Sequence, residues 1–382
     1  MEEGKDPTAT TVSKPSQSRV LPQRLIQLLF LFLVLCFSIC LFVIYMIRKT
    51  EVTTALASSI SILQPCVQEQ QNTNLDHWVK PPSTLLHTLS DQELFWRASF
   101  VPQLKNYPFT RVPKIAFMFL TKGPLPLASL WERFFKGHEG LYSVYIHSLP
   151  SYEAKFSSES IFYGRQIPSQ VAQWGRMSMC DAERRLLANA LLDFSNEYFV
   201  LVSESCIPLY NFTLTYHYII NSKYSFMGAF DDPGPVGRGR YNHNMSPIVN
   251  ISQWRKGSQW FEVHRNLALV IISDMTYYPK FEAFCRPACY VDEHYFPTLL
   301  TIQAPSLIAN RSLTWVDWSR GGPHPATFGK SDITEDFMKK LHNSQNCVYN
   351  GEPSSICHLF ARKFSPGSLE PLLLLAHNFF GY

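Results

Sequence analysis

From Leu25 to Ile47 the chain reads LIQLLFLFLVLCFSICLFVIYMI, 23 residues without a charged side chain. A helix rises about 1.5 Å per residue, so the run covers a hydrocarbon core about 30 Å thick with some tilt. It predicts one transmembrane helix. The competing reading, a cleaved secretory signal, asks for an apolar core of roughly 7–15 residues closing on small residues. This run closes instead on Met46, Ile47, Arg48 and Lys49. Lys5, Lys14, Arg19 and Arg24 precede it against Arg48 and Lys49 after it, a bias that favours a cytosolic N-terminus. The chain then divides into a cytosolic tail (1–24), a signal anchor (25–47), a stem (48–108) and a lumenal domain (109–382).

Two further patterns fit a lumenal domain. Asn211, Asn244, Asn250 and Asn310 head Asn-x-Ser/Thr glycosylation triplets, the one at Asn244 weakened by Pro247 directly after it. Of the 9 cysteines, those at 66, 180, 206, 285, 289, 347 and 357 follow the anchor. In an oxidising lumen most are expected to pair, with one left over and the connectivity open. Cys66, in the stem, is free or bridges two chains into a homodimer. Cys36 and Cys40 read as apolar filler of the span. The step from Cys285 to Cys289 is not the CxxC of a zinc or redox site.

Hydrophobic residues at 46% and charged ones at 17% supply a large core. The net charge of +4 is spread along the chain without the Lys/Arg block that tracks a phosphate backbone, which argues against a nucleic-acid partner. The stem is rich in Gln and Pro, with Asp91 to Phe100 as one short helix packed on the domain. Beyond it, Lys114 to Leu120 (KIAFMFL) is a run of buried-strand type, and Leu127, Leu130, Trp131 and Phe134 recur at helical spacing. A strand over Tyr142 to His147, a helix over about Met177 to Phe194 and a strand over Tyr198 to Val202 follow. That alternation implies an α/β fold with a largely parallel sheet. Phe226 to Phe230 and Leu313 to Trp318 add strands, and Asp332 with Glu335 forms a capping box opening a helix to His342.

In such sheets ligands bind beyond the carboxyl ends of the strands, so the loops there hold the candidates. The segment 231–242, glycine-rich and basic with Arg240, is either a ligand loop or a surface turn. GxGxxG, P-loop and Asp-x-Asp motifs are all absent. A reaction that expels a diphosphate without Asp-x-Asp needs protein cations in place of a divalent ion. Two segments supply the parts, VDEHYFP from Val291 and CHLFARKFS from Cys357. Glu293 is either a carboxylate base or, with Asp292, a first-turn acid of a helix to Leu300. Arg362 and Lys363 are either site cations or solvated edge charges. As strand neighbours they point to opposite faces, so only one enters the site.

Seven blocks then occur in order between about Lys114 and Phe364: Tyr145-Ile146-His147, Trp174-Gly175-Arg176, LVSESCIPL from Leu201, Gly257-Ser258-Gln259-Trp260-Phe261, Asp292-Glu293-His294, Gly322-Pro323-His324-Pro325, and His358 to Phe364. In this arrangement the sequence resembles the core-2/I-branching beta-1,6-N-acetylglucosaminyltransferase family, in particular its plant branch. The resemblance implies a GT-A-like α/β fold with a mixed, largely parallel central sheet. It implies a type II Golgi membrane protein that transfers a sugar from a UDP-sugar to a hydroxyl of a glycan or glycoprotein acceptor, with inversion and a beta linkage. No cofactor and no divalent metal are expected, and plant members are tied to cell-wall glycans.

Carried over position by position, the resemblance makes Glu293 the catalytic base and Lys363 a ligand of the donor diphosphate. The family's second cation falls where this chain departs from the pattern after Pro325, leaving Lys330 and Arg320 as candidates. His147 and Ser148 occupy uridine-contacting positions, without the acid expected in that turn. Trp260, Ser258, Arg240, Trp315 and Asp292 are candidates for the acceptor site or its wall, with Trp318 beside them. The alternative is a non-catalytic glycan-binding or scaffold protein on the same fold. A glycoside hydrolase is disfavoured, because it needs two carboxyl groups roughly 5–9.5 Å apart across a sugar and no second acid is marked.

Overall fold

The computed structural model describes residues 23–62, 75, 79–101, 107–287, 289–342 and 346–382. It divides into two units, Met1–Thr73 and Asn74–Tyr382. In the first, helix α1 (Gln23–Ile62) carries the apolar run, and its stretch Phe30–Arg48 is long and apolar enough to cross a membrane. The tail before residue 23, and Cys66, lie outside the described residues.

The second unit begins well before residue 109, so the later part of the expected stem belongs to it. Helix α2 (Asp91–Ala98) shows why. Ser90 and Glu93 close a reciprocal capping box, Leu94 and Ala98 are buried, and Asp91 accepts two hydrogen bonds from Arg185 at 2.7 and 2.6 Å. In chain order follow β1 (Lys114–Leu120), α3 (Ala128–Phe135), β2 (Tyr142–His147), α4 (Met177–Leu191), β3 (Asn196–Ser203), β4 (Cys206–Pro208), α5 (Phe212–Ile220), β5 (Glu262–His264), α6 (Arg265–Ser273), α7 (Tyr278–Phe284), α8 (Tyr295–Gln303), β6 (Thr314–Val316), α9 (Glu335–His342), β7 (Cys347–Tyr349), β8 (Glu352–Ser354), β9 (Phe360–Arg362) and α10 (Leu369–Phe379).

The main sheet has the order β2-β1-β3-β5, parallel among the first three and antiparallel at β5. Its central strand β1 is apolar on both faces, as a strand must be when covered on both sides. A smaller sheet, β4-β9-β6, lies beside it in the same core. Phe117 of β1 joins the two, its ring within 6.2 Å of Phe135, Phe134, Trp131 and Phe360. Trp131 Nε1 donates to the Cys206 carbonyl at 3.1 Å, so the aromatic seam leaves no polar group of that indole unsatisfied. This mixed, mostly parallel α/β architecture is the expected fold.

Several local expectations change. Phe226 to Phe230 is not a strand: only its two ends bridge, to Glu262 and Lys256, because Gly228 in its middle instead meets the backbone of Gly257 and Ser258. The helix before His342 starts at Glu335, and its cap is Thr334, whose Oγ1 accepts from Phe337 N at 3.2 Å. Asp332 turns the other way and accepts from Gly329 N at 2.6 Å. Cys285 pairs with Cys289 and Cys347 with Cys357, while Cys180 and Cys206 are buried free thiols. Among the glycosylation triplets, Asn244, Asn250 and Asn310 are exposed, and half-buried Asn211 caps α5 by accepting from Leu214 N at 2.9 Å.

Candidate active site

The carboxyl ends of β1, β2 and β3 open into a cavity of about 740 Å³, lined there by Leu120, His147 and Ser203. Parallel strands deliver their last residues to one edge, which is why the crevice forms at this place. Glu293, Lys363, His147, Ser148, Trp260, Ser258 and Asp292 all line it. Residues nearly 220 positions apart in sequence thus share one wall-to-wall space.

Glu293 ends a 3-10 turn, Val291–Glu293, just before α8. It is therefore not a first-turn acid of that helix. Arg240 Nη1 and Lys256 Nζ each lie 3.1 Å from its Oε2. Both bonds use the same oxygen, so Oε1 is without a hydrogen bond among the described residues. Arg240 also stacks over Tyr290 at 4.1 Å, which fixes the guanidinium plane. The segment 231–242 is thus a folded loop that delivers Arg240 to the carboxylate, and its fork is closed by Arg238 bonding Asp231 at 2.8 and 2.7 Å.

Lys256 comes from the segment just before the Gly257-Ser258-Gln259-Trp260-Phe261 block, and the backbone there is tied to the same turn. Gly257 N donates to the Glu293 carbonyl at 2.7 Å. A Cβ on Gly257 would stand 2.0 Å from the Gly228 carbonyl oxygen, so glycine is required for this close approach. Ser258 turns its hydroxyl inward to accept from Trp260 N at 3.3 Å.

At the other end of the chain both Arg362 and Lys363 line the cavity. The expectation that only one could enter fails because β9 ends at Arg362, and strand alternation does not extend to Lys363. Arg362 stacks over Trp260 at 4.1 Å. Its Nε is sealed from solvent without a hydrogen-bond partner, and among the described residues neither cation has an ion-pair partner. Burial pushes the Arg362 guanidinium down from its ordinary value, with Cys206 and the cavity-lining Glu204 opposing that shift. A guanidinium stays charged through such shifts. The cavity wall therefore carries two cations that make no ion pair among the described residues.

His147 and Ser148 close the end of β2. Burial, then the charge of Arg185, push the His147 ring down to about 4, so it is neutral, and its Nε2 accepts from Gln170 N at 3.4 Å. Its Nδ1 and the Ser148 hydroxyl are sealed and have no hydrogen-bond partner among the described residues, two polar atoms at the rim of the cavity. Asp292 is only 3% exposed and serves as wall. Trp260, 4% exposed, lies beneath Arg362 and cannot present a face to a sugar.

Three expected residues lie elsewhere. Trp315 packs on Phe328 and Phe337 and does not line the cavity, whereas Trp318 does. Arg320 stacks over Phe328 at 5.9 Å, and Lys330 pairs at the surface with Glu370 at 2.6 Å. Trp315 is held in β6 and Arg320 in the exposed stretch 318–324, and Lys330 falls in the segment after Pro325 where this chain departs from the family pattern. Sequence reasoning missed Lys256 and Glu204, although each sits within or directly before a block already singled out. It also discounted Arg362. Among the described residues no cluster of three or more His, Cys, Asp or Glu side chains is suited to a metal ion.

The pattern that defines the Core-2/I-Branching enzyme family matches residues 115–342. The chain is also 38% identical over 314 residues to Glycosyltransferase BC10 of Oryza sativa subsp. japonica, a match covering 69% of this chain and 78% of that protein. The family match spans the strands that form the crevice, the loops carrying Arg240 and Lys256, and Glu293.

Proposed function

Because the chain belongs to the core-2/I-branching enzyme family, and is on that ground a glycosyltransferase, we propose that it transfers a sugar with inversion from a UDP-sugar to a glycan hydroxyl without a divalent metal. The observation that carries this reading is one cavity holding both Glu293, clamped through Oε2 alone, and the unpaired cations Arg362 and Lys363. In the transfer, Glu293 Oε1 takes the proton of the acceptor hydroxyl as that oxygen attacks the anomeric carbon. The bond from that carbon to the diphosphate breaks on the opposite face, which inverts the centre. The departing diphosphate takes up the electron pair, and its charge falls to Arg362 and Lys363.

On this reading Arg362 is the second cation, in place of Lys330 and Arg320. His147 and Ser148, at the end of β2, flank the nucleotide, and Trp318, 53% exposed, offers a ring face to the acceptor sugar. The acceptor is a glycan or glycoprotein and the new linkage is beta, as in N-acetylglucosaminyl transfer. The apolar helix serves as the anchor of a type II Golgi protein with the transferase unit in the lumen, and the exposed triplets carry N-glycans. The test is a thermal-shift screen of nucleotide sugars on the detergent-solubilised chain, with and without EDTA. A shift with one UDP-sugar that survives EDTA is expected, and its loss in EDTA would overturn the metal-free part of the reading.

A further inference from the structure

Behind Glu293 lie two carboxyl groups that the transfer itself does not use. Asp292 precedes the base in the Val291–Glu293 turn, and Glu183, on α4, is 0% exposed. Oδ1 of Asp292 and Oε2 of Glu183 are both sealed from solvent and have no hydrogen-bond partner among the described residues. The second Glu183 oxygen accepts from Nε2 of Gln259, which lines the cavity, at 2.8 Å. Helix α4 packs directly on the turn, and the Asp292 carboxyl acts on Glu183 across that contact.

An ionised carboxylate only accepts, so two sealed carboxylates on elements packed against each other would leave both orphan oxygens unsatisfied and two like charges unscreened. A proton between them removes both penalties. We propose that Glu183 and Asp292 form a proton-sharing acid pair that braces the Val291–Glu293 turn from behind, so that both are positioning residues for Glu293. The assignment of a role in transfer rests on the glycosyltransferase reading above; the acid pair itself does not.

The surroundings favour the protonated pair. Burial, and then the neighbouring Glu293, push Asp292 up to about 7, and burial followed by Asp292 pushes Glu183 well above the usual carboxylate range. Acting on Asp292 are Glu293 from its own chain segment, with His294 next in the chain, Lys256 from the loop before β5, and Arg240 from the 3-10 turn Arg238–Arg240, while Gln259 bonds Glu183. From α4 come Glu183 and Cys180, on which Asp181 acts in turn, and Arg184, which acts on Cys180. Lys256 and Arg240 pull Asp292 down, but both are engaged by Glu293. His294 is neutral, burial holding it down at about 3.

The sign of the pH effect follows. An unfolded Asp releases its proton near pH 4, whereas the folded pair keeps it until about pH 7, so the folded state binds more protons across that window. Stability from the pair is complete below about pH 4 and declines as pH rises through about 7. The experiment measures urea unfolding of the full-length, detergent-solubilised chain at pH 4 to 8 for wild type, D292N and E183Q, together with pH profiles of kcat and donor KM.

Between pH 4 and 7 the wild-type unfolding constant should rise roughly 10²- to 10³-fold more than that of D292N, because one proton held only by the folded state changes that constant about tenfold for each step of one in pH. D292N should lower kcat about tenfold with donor KM unchanged and lose the alkaline decline expected of wild type. An unfolding profile in D292N and E183Q with the wild-type slope overturns the pair. So does a D292N that is as inactive as E293Q at every pH, which would make Asp292 a base. Should D292N fail to fold, E183Q alone decides through its slope. The expected unfolding slopes in a protein that transfers no sugar would uphold the pair and overturn only the transferase reading.

Discussion

The cavity has two kinds of wall. One is built from the ends of hydrogen-bonded strands: Leu120, His147 and Ser203 finish β1, β2 and β3, and Arg362 finishes β9. The other, around Glu293, is built on turns and a loop. Arg240 and Glu293 sit in 3-10 turns and Lys256 in a loop, held together by ion pairs to one oxygen and one backbone bond. A sheet fixes its strand ends through many cooperative bonds, so the first wall tolerates the loss of a side chain with its shape intact. The second is as rigid as its clamps. Donor binding and turnover should therefore be separable by substitution.

The largest separation is expected from E293Q. On the proposed role of Glu293 as proton acceptor, this substitution should lower kcat about 10²- to 10⁴-fold while UDP binds as in wild type by titration calorimetry. If UDP affinity falls in step with turnover, the two walls are not independent. K363A and R362Q act on the strand-end wall. Loss of a charge-assisted bond of about 1.5–3 kcal/mol should weaken UDP roughly ten- to a hundredfold, with uridine affinity unchanged. Equal weakening of uridine would show that Arg362 only props Trp260.

The smallest effect falls on the clamp itself. In G257A the new Cβ would meet the Gly228 carbonyl at 2.0 Å and Pro297 at 2.8 Å, so the loop must shift at a cost of about 1–3 kcal/mol. A lower unfolding midpoint and slower turnover with little change in UDP affinity are expected. The comparison is sharpened if Lys256 and Glu293 alone move in its structure.

The same contrast explains what the sequence revealed. KIAFMFL and YFVLV announce buried parallel strands by composition alone, and with the helix between them they define the α/β class and the edge where a ligand must lie. Glu293 and Lys363 were legible through blocks that resemble a known family. Lys256 was not, because its partner is 37 positions away and no local period marks an ion pair across loops. Arg362 was misjudged by applying strand alternation one residue past the strand's end. Phe226 to Phe230 has the apolar content of a strand, yet Gly228 is there for backbone contact with Gly257, a tertiary fact invisible to propensity. Asp332 and Thr334 compete for the same helix start, and only the geometry of Gly329 shows which one is already engaged.

The bond from Gly257 N to the Glu293 carbonyl ties main chain to main chain, and Lys256, one residue earlier, holds the same residue by its side chain. Carboxylate and counter-charge are thus mounted on one body. An acceptor cannot be admitted by parting them; the hinge, if the cavity breathes, lies outside this pair. Sequence drift that reshapes the 231–242 loop, by contrast, moves Arg240 and so works on one of the two clamps at Glu293 Oε2 while leaving the Lys256 side of the turn in place.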